Sequence, residues 1–133
     1  MRQAVVPIAA AALLLAGRPA SAHEFLIYFD RGSASVPPRY HPVVTDAARY
    51  VSPEGTAAVV VHAHADSLGS SSDNQALSRR RAEAIAEMLE RAGVPRRRIE
   101  LRPYGETMPA VPAGEAAAEP LNRRAVIAPP TGD

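Results

Sequence analysis

Short apolar runs alternate with longer amphipathic segments along this sequence, and this alternation limits the possible folds more than any other feature. Residues 24–30 are mostly β-branched and aromatic until the turn sequence R-G-S, which predicts a first strand. Residues 40–51 carry apolar side chains three and four positions apart, which predicts an amphipathic helix. The run Val59-Val60-Val61 within residues 56–65 predicts a central strand buried on both faces.

A second amphipathic segment follows a polar loop. Ser72 to Gln75 fits the capping box S-x-x-Q, with Asp73 as an alternative cap, and the predicted helix ends at Gly93. Its apolar face carries Leu77, Ile85, Met88 and Leu89.

Two further strands complete the prediction. Residues 99–102 alternate in polarity, residues 122–128 form a last short strand, and an Ala-, Pro- and Gly-rich excursion over residues 106–120 separates them. The order β-α-β-α-β-β predicts an α+β fold, a two-layer sandwich of a small mixed sheet with two helices packed on one face. Residues 129–133 are expected to be a flexible tail.

The first 22 residues predict a secretory signal peptide. A positive start precedes 14 uncharged residues, 4–17, and the small-residue sequence A-S-A then ends at Ala22. A membrane anchor is the alternative, but a spanning helix needs ~20 apolar residues. We expect cleavage after Ala22, a folded domain over residues 23–128 and no transmembrane segment after cleavage. The expected location is the periplasm or cell envelope, including association with the outer membrane.

Composition excludes several classes of protein. The chain has 15 Lys and Arg against 14 Asp and Glu, so it offers no basic excess for binding nucleic acid. Because it has no cysteine, a disulfide framework, a thiol nucleophile and Cys-ligated zinc are excluded. A hydrophobic fraction of 47% excludes a wholly disordered chain.

Arg81 departs from the helical pattern. Leu77, Arg81 and Ile85 share one row at spacing i, i+4, i+8, whereas Arg79 and Arg80 fall off this row and can face water. Arg81 therefore lies in the stripe that faces the core, where an unpaired charge is costly. It needs an anionic partner within the fold or a ligand carboxylate, unless its long stem carries the charge out to water.

Asp66 is the companion that the sequence offers. It follows the predicted central strand, and ligands of open α/β layers collect at the carboxyl ends of strands. Aspartate is also an ordinary turn residue, so position alone does not decide its role. Asp66 and Arg81 together, joined by a Ser- and Gly-rich loop, suit a ligand that carries one ammonium and one carboxylate.

Several ordered motifs surround this pair. A-H-A-D ends at Asp66, N-Q-A-L-S-R-R-R-A begins at Asn74, G-V-P begins at Gly93, G-E-T-M-P begins at Gly105 and N-R-R begins at Asn122. In this order and spacing they resemble the OmpA-like peptidoglycan-binding domain shared by OmpA, Pal and MotB.

The resemblance implies a ligand and a site. It implies that Asp66 and Arg81 hold the diaminopimelate residue of the peptidoglycan stem peptide, and that Asn74 and Arg123 line the pocket. Asp66 would accept hydrogen bonds from the ammonium and Arg81 would fork onto the carboxylate. The implied role is non-covalent attachment of the chain, or of an envelope protein partner, to the cell wall. It needs no catalytic residue, cofactor or metal.

Three other interpretations remain open. His62, His64 and Asp66 alternate as H-x-H-x-D, which suits one divalent metal ion, and a newly N-terminal His23 suits copper. The loop serines favour catalysis less, because no G-x-S-x-G sequence accompanies them. An alanine-rich C-terminal part also suits a protein–protein assembly module that has lost wall binding.

Overall fold

The computed structural model describes residues 23–110 and 119–130. The predicted signal peptide, the tip of the excursion (111–118) and the end of the predicted tail (131–133) lie outside the described residues. Within those ranges the elements are β1 (Phe25–Tyr28), α1 (His41–Arg49), β2 (Val59–Ala63), α2 (Ser71–Arg91), β3 (Ile99–Pro103) and β4 (Arg124–Ala128). Short 3-10 helices precede α1, β3 and β4. The predicted order of elements is confirmed.

A single sheet holds the four described strands in the order β1-β4-β2-β3. β2 and β3 are parallel, with Val61 opposite Leu101, whereas β4 is antiparallel to both β1 and β2. We call the end where β1, β2 and β3 finish and β4 begins the upper end, and the opposite end the lower end. The mixed sheet predicted from the sequence is therefore confirmed.

Both helices pack on one face of this sheet. α2 lies on β2 and β3, while α1 contacts β1 and α2. Val59, Val61 and Ala63 are fully buried beneath the helices, whereas Val60 and His62 point to the opposite face and are partly exposed. The prediction that β2 is buried on both faces is wrong, because no helix in the described part of the chain covers the second face.

The start of α2 differs from the predicted capping box. Ser70 is the N-cap: its backbone is extended, and its hydroxyl accepts a hydrogen bond from the N–H of Asp73 at 3.1 Å. Ser72 and Asp73 already lie inside the helix, so the prediction that either one caps it is wrong. Four polar residues of nearly equal capping propensity precede the apolar face, and the pattern alone did not separate them.

The lower end is closed by the end of α2 and by Arg98. Gly93 follows the helix at φ +110°, as its sequence position predicts. Arg98 is 5% exposed and donates from Nε and Nη2 to the carbonyl of Ala57, and from Nη1 to the carbonyl of Ser52. These hydrogen bonds join the residue before β3 to the segment that leads into β2.

Helix length and polarity also bear on the membrane. Across residues 23–110 and 119–130, we find no helix with the length and apolar character required to cross a bilayer.

Candidate functional site

A cleft of about 440 Å³ opens at the upper end, between the loops that follow β1 and β2 and the first turns of α2. Half of its lining residues are polar or charged, and the lining consists of Arg31, Gly32, Asp66, Leu68, Gly69, Asp73, Asn74, Ala76, Leu77 and Arg80. Gly69 has a φ of +95°, which favours glycine and lets the loop turn from β2 towards α2.

Asp66 lines this cleft although it is only 6% exposed. Its Oδ1 accepts a hydrogen bond from the N–H of Leu68 at 3.2 Å, and its Oδ2 accepts one from Nη1 of Arg123 at 3.3 Å. The second distance is longer than the about 2.7–2.9 Å of a strong charge-assisted hydrogen bond. The carboxylate is therefore fixed in direction and still able to accept from a ligand cation.

Arg123 is held beside Asp66 by the end of β1. Its Nε donates to the carbonyl of Phe29 at 3.1 Å, and its own carbonyl accepts from the N–H of Phe29 at 2.8 Å. The side chain is 16% exposed. Arg123 contacts Asp66 but is not among the described residues that line the cleft.

Asn74 lines the cleft from the first turn of α2 and is 4% exposed. Its Nδ2 donates to Oε1 of Glu106 at 2.8 Å. Glu106 belongs to the loop after β3, so this hydrogen bond ties α2 to that loop and fixes the direction of the Asn74 amide.

Two other side chains of α2 hold the same loop against the helix. Gln75 donates from Nε2 to the carbonyl of Pro103 at 2.9 Å, and Ser78, fully buried, accepts from the N–H of Gly105 at 2.9 Å. Gly105 has a φ of +61°, and a Cβ there would lie 3.2 Å from the Cα of Gln75. Glycine is therefore required both by the conformation and by the close approach.

Arg81 is fully buried, as the helical spacing predicts. Its guanidinium donates to three backbone carbonyls: Nε to Ser33 at 2.8 Å, Nη1 to His64 at 2.7 Å and Nη2 to Asp30 at 3.1 Å. These carbonyls belong to the loops after β1 and β2, so one side chain holds both walls of the cleft together. The guanidinium also lies over the ring of Phe29, 4.8 Å from its centroid.

The charge of Arg81 persists despite burial. Burial lowers the pKa of Arg81 to about 10, the Asp66 carboxylate opposes that shift, and Arg123 and Arg80 add to it. The guanidinium is therefore protonated at neutral pH and places a positive charge behind the cleft. Arginine has five N–H donors, and the three carbonyl bonds leave two of them for other acceptors.

The structure brings the four predicted site residues to the same end of the sheet in two layers. Asp66 and Asn74 line the cleft, whereas Arg81 and Arg123 lie behind that lining. Arg31 and Arg80 were not singled out from the sequence, yet both line the cleft. Arg80 is exposed as expected, but helical periodicity could not reveal that it shares a cleft with the loop after β1.

The geometry argues against a metal site formed by the H-x-H-x-D motif. His62 and His64 both stack on Tyr104, at centroid distances of 5.8 and 5.0 Å, whereas Asp66 turns towards Arg123. In the described ranges no group of three His, Cys, Asp or Glu side chains is close enough to hold a metal ion. The exposed ring of His23 instead contacts Tyr50.

His64 is 4% exposed and neutral at physiological pH. Burial lowers its pKa to about 3, with Arg124 and His62 adding to the shift and the backbone of Met108 opposing it. Its backbone carbonyl accepts from Arg81. The ring therefore belongs to the packing beneath the upper end.

Sequence comparison identifies the family and the relatives of this chain. The model of the OmpA family matches residues 28–123. The peptidoglycan-associated lipoprotein of Legionella pneumophila is 35% identical over 102 residues, which cover 77% of this chain and 58% of that protein. An outer membrane protein of Gluconacetobacter diazotrophicus is 32% identical over 115 residues, covering 82% of this chain and 30% of that protein. The chain thus spans only part of the length of these relatives.

The fold has close counterparts among solved structures. The crystal structure of the peptidoglycan-associated lipoprotein from Burkholderia pseudomallei matches with a TM-score of 0.70 and 29% sequence identity. The match covers 77% of this chain and 87% of that one. It agrees with the α+β sandwich predicted from the sequence.

Proposed function

The chain belongs to the OmpA family, and on that premise we propose that it binds peptidoglycan non-covalently and attaches itself or a partner to the cell wall. Relatives named as peptidoglycan-associated lipoproteins support this proposal. With an outer membrane protein also among its relatives, the chain is a protein of the cell envelope. We further propose that residues 1–22 are removed after Ala22, which N-terminal sequencing of the exported protein tests.

The ligand group is the distal centre of meso-diaminopimelate in the stem peptide, which carries a free ammonium and a free carboxylate. The observation that carries this proposal is the nearly buried Asp66 carboxylate in the lining of a cleft, with the buried guanidinium of Arg81 and the partly exposed guanidinium of Arg123 beside that lining. An ammonium in the cleft donates to the Asp66 carboxylate and competes with the long hydrogen bond from Arg123. The carboxylate of the same centre then meets the positive charge behind the lining.

Arg81 has two roles in this proposal. Its three carbonyl hydrogen bonds hold the cleft walls at a fixed separation. Its charge and its two remaining N–H groups attract the ligand carboxylate. Because the side chain is fully buried in the free protein, the carboxylate must enter the cleft deeply to contact it.

Asn74 and Arg123 complete the proposed pocket. Asn74 presents its amide at the cleft surface while Glu106 holds its Nδ2, so its Oδ1 is the atom turned to a ligand donor. Arg123 fixes Asp66 and adds positive charge for the carboxylate. Binding by these groups breaks no covalent bond, and we propose that the protein acts as an attachment module rather than as an enzyme.

Co-sedimentation with purified sacculi tests the proposal. The wild-type protein is expected to pellet with diaminopimelate-type sacculi and to stay in solution with lysine-type sacculi, which lack the distal carboxylate. Asp66→Asn is expected to stay in solution with both. The matched control is Asp46→Asn on the exposed side of α1, where the carboxylate pairs only with Arg49 in the described contacts.

Circular dichroism of each variant establishes that it is folded before the assay. Equal pelleting of Asp66→Asn and Asp46→Asn overturns the assigned site. A wild-type protein that stays in solution with diaminopimelate-type sacculi overturns wall binding itself.

A further inference from the structure

Two exposed arginines line the same cleft from different segments. Arg31 follows β1 and Arg80 lies on α2, and both contribute to the cleft lining. Over residues 23–110 and 119–130, neither guanidinium makes a hydrogen bond or an ion pair. Three exposed arginines outside the cleft form ion pairs, Arg49 with Asp46, Arg96 with Glu83 and Arg102 with Glu100, whereas Arg79, Arg91 and Arg97 form none in the described ranges. What distinguishes Arg31 and Arg80 is that both line the same cleft.

The position of these two arginines differs from that of the proposed anchoring group. Asp66 and Asn74 are almost fully buried, whereas Arg31 and Arg80 are exposed and so lie at the mouth. A ligand whose end is held at Asp66 must leave the cleft through this mouth. We expect whatever is covalently joined to the anchored end to pass close to these two guanidiniums.

We propose that Arg31 and Arg80 form a cationic rim that binds a second carboxylate of the stem peptide, outside the anchored diaminopimelate centre. This proposal rests on the function proposed above. The ligand class is an acidic peptide with a free carboxylate next to the anchored group. The rim makes the protein discriminate between acidic stem peptides and those whose carboxylates are amidated.

The chemistry of the stem peptide supplies two such carboxylates. The D-glutamate that precedes diaminopimelate is linked through its side chain, so its α-carboxylate is free. In a tripeptide the proximal carboxylate of diaminopimelate is also free. A planar carboxylate accepts paired N–H groups from guanidinium, which makes arginine the suitable rim residue. Asp73 also lines the cleft and repels such a group, so the rim is needed to favour it.

Isothermal titration with synthetic peptides tests the rim. The probes are L-Ala-γ-D-Glu-meso-diaminopimelate and two mono-amides, one amidated at the glutamate α-carboxylate and one at the proximal diaminopimelate carboxylate. Exposed charge pairs have modest effects, so at low salt one mono-amide is expected to bind wild type about two- to fivefold more weakly than the acid. The amide that loses affinity identifies the carboxylate. This preference is expected to shrink at high salt.

The double variant Arg31→Gln/Arg80→Gln is expected to bind the acid and both amides with nearly equal affinity. The matched control is Arg79→Gln, on the same helix but outside the described cleft lining, and it is expected to keep the wild-type preference. Equal binding of the acid and both amides by wild type overturns the rim, as does a preference that persists in the double variant. If wild type binds none of the three peptides, the proposed function itself fails, and the rim fails with it.

Discussion

Arg81 and Arg98 occupy equivalent situations at opposite ends of the sheet. Each is almost fully buried, and each donates three hydrogen bonds to backbone carbonyls. Arg81 joins the loops that follow β1 and β2, whereas Arg98 joins the residues before β2 and β3. A buried arginine in this fold is therefore first a clamp for irregular backbone, whose carbonyls would otherwise lack donors.

The surroundings of the two arginines differ. The lower end has a smaller cleft, about 290 Å³, lined by Ala48, Arg49, Val51, Pro53, Ala92, Gly93, Val94, Pro95 and Arg98. Its lining contains no carboxylate or side-chain amide in the described part of the chain, whereas the upper cleft has Asp66, Asp73 and Asn74. What distinguishes the proposed binding site from the lower cleft is its carboxylates and its side-chain amide, and not the burial of an arginine.

The largest expected effect is on stability and is shared by both ends. Arg81→Ala and Arg98→Ala each leave backbone carbonyls without their donors, so each is expected to lower the free energy of unfolding by at least about 3 kcal/mol. Urea denaturation monitored by circular dichroism measures this loss. A loss below about 1 kcal/mol at either position contradicts the clamp role.

The two variants are expected to differ in their binding to sacculi when it is measured under conditions where both are folded. Arg98→Ala is expected to retain binding to diaminopimelate-type sacculi, whereas Arg81→Ala is expected to lose it. Loss of binding by both variants would mean that Arg81 affects binding only through the stability of the fold, as Arg98 does.

Asp66→Asn removes the group that only the upper end has. A charge-assisted hydrogen bond contributes about 1.5–3 kcal/mol, so affinity for the stem peptide is expected to fall roughly ten- to a hundredfold. Titration with the tripeptide measures the change. Arg49→Gln at the lower cleft is the control and is expected to bind as wild type does; a loss of similar size there would remove the distinction between the ends.

The buried His64 ring at the upper end is expected to make the free energy of unfolding depend on pH. Its pKa is about 3 in the folded protein and about 6.5 when unfolded, so the unfolded chain takes up the proton first as pH falls. Above pH 6.5 this group has no effect on the free energy of unfolding. Between pH 6.5 and 3 it lowers that energy by up to about 1.4 kcal/mol per pH unit.

Urea denaturation at pH 7.5 and pH 5.5 measures this effect, with His64→Gln as the comparison. The variant lacks the titrating ring, so its stability is expected to fall less over this interval than that of wild type. Equal losses in the two proteins would show that other groups carry the pH dependence.

The smallest expected difference concerns two glycines with positive φ, Gly105 at the upper end and Gly93 at the lower. An alanine at either position is strained by about 1–2 kcal/mol. Only at Gly105 does the new Cβ also meet the backbone of Gln75, at 3.2 Å, whereas it meets nothing within 4 Å at Gly93. Gly105→Ala is expected to be less stable than Gly93→Ala by about 1 kcal/mol; the reverse order in thermal unfolding would contradict the close approach of this loop to α2.

Sequence periodicity predicted the order of elements and the burial of Arg81, because both follow from local spacing. It did not predict what Arg81 contacts, since the carbonyls of Ser33 and Asp30 lie 48 and 51 residues earlier and reach it only through the folded loops. The exposed face of β2 was missed for a related reason. A run of three valines does not reveal whether helices cover one face of a sheet or two.

The cap of α2 shows a limit of a different kind. The sequence offers four competent caps in a row, Ser70, Ser71, Ser72 and Asp73. Ser70 is the observed cap because the path of the loop after Asp66 determines which residue begins the helix. Asp66 was suggested by its place after the central strand, and the roles of Asn74 and Arg123 by the family resemblance alone. Their ligand remains a prediction, whereas their meeting at the upper end is observed.

The role proposed for the upper cleft depends on its binding a centre that carries both an ammonium and a carboxylate. Isothermal titration of the wild-type protein with two tripeptides tests it most directly: L-Ala-γ-D-Glu-meso-diaminopimelate, and the same peptide with L-lysine, which lacks only the distal carboxylate. We expect saturable binding of the diaminopimelate peptide and at least about tenfold weaker binding of the lysine peptide. Equal affinity for the two peptides, or no binding of the diaminopimelate peptide, would contradict it.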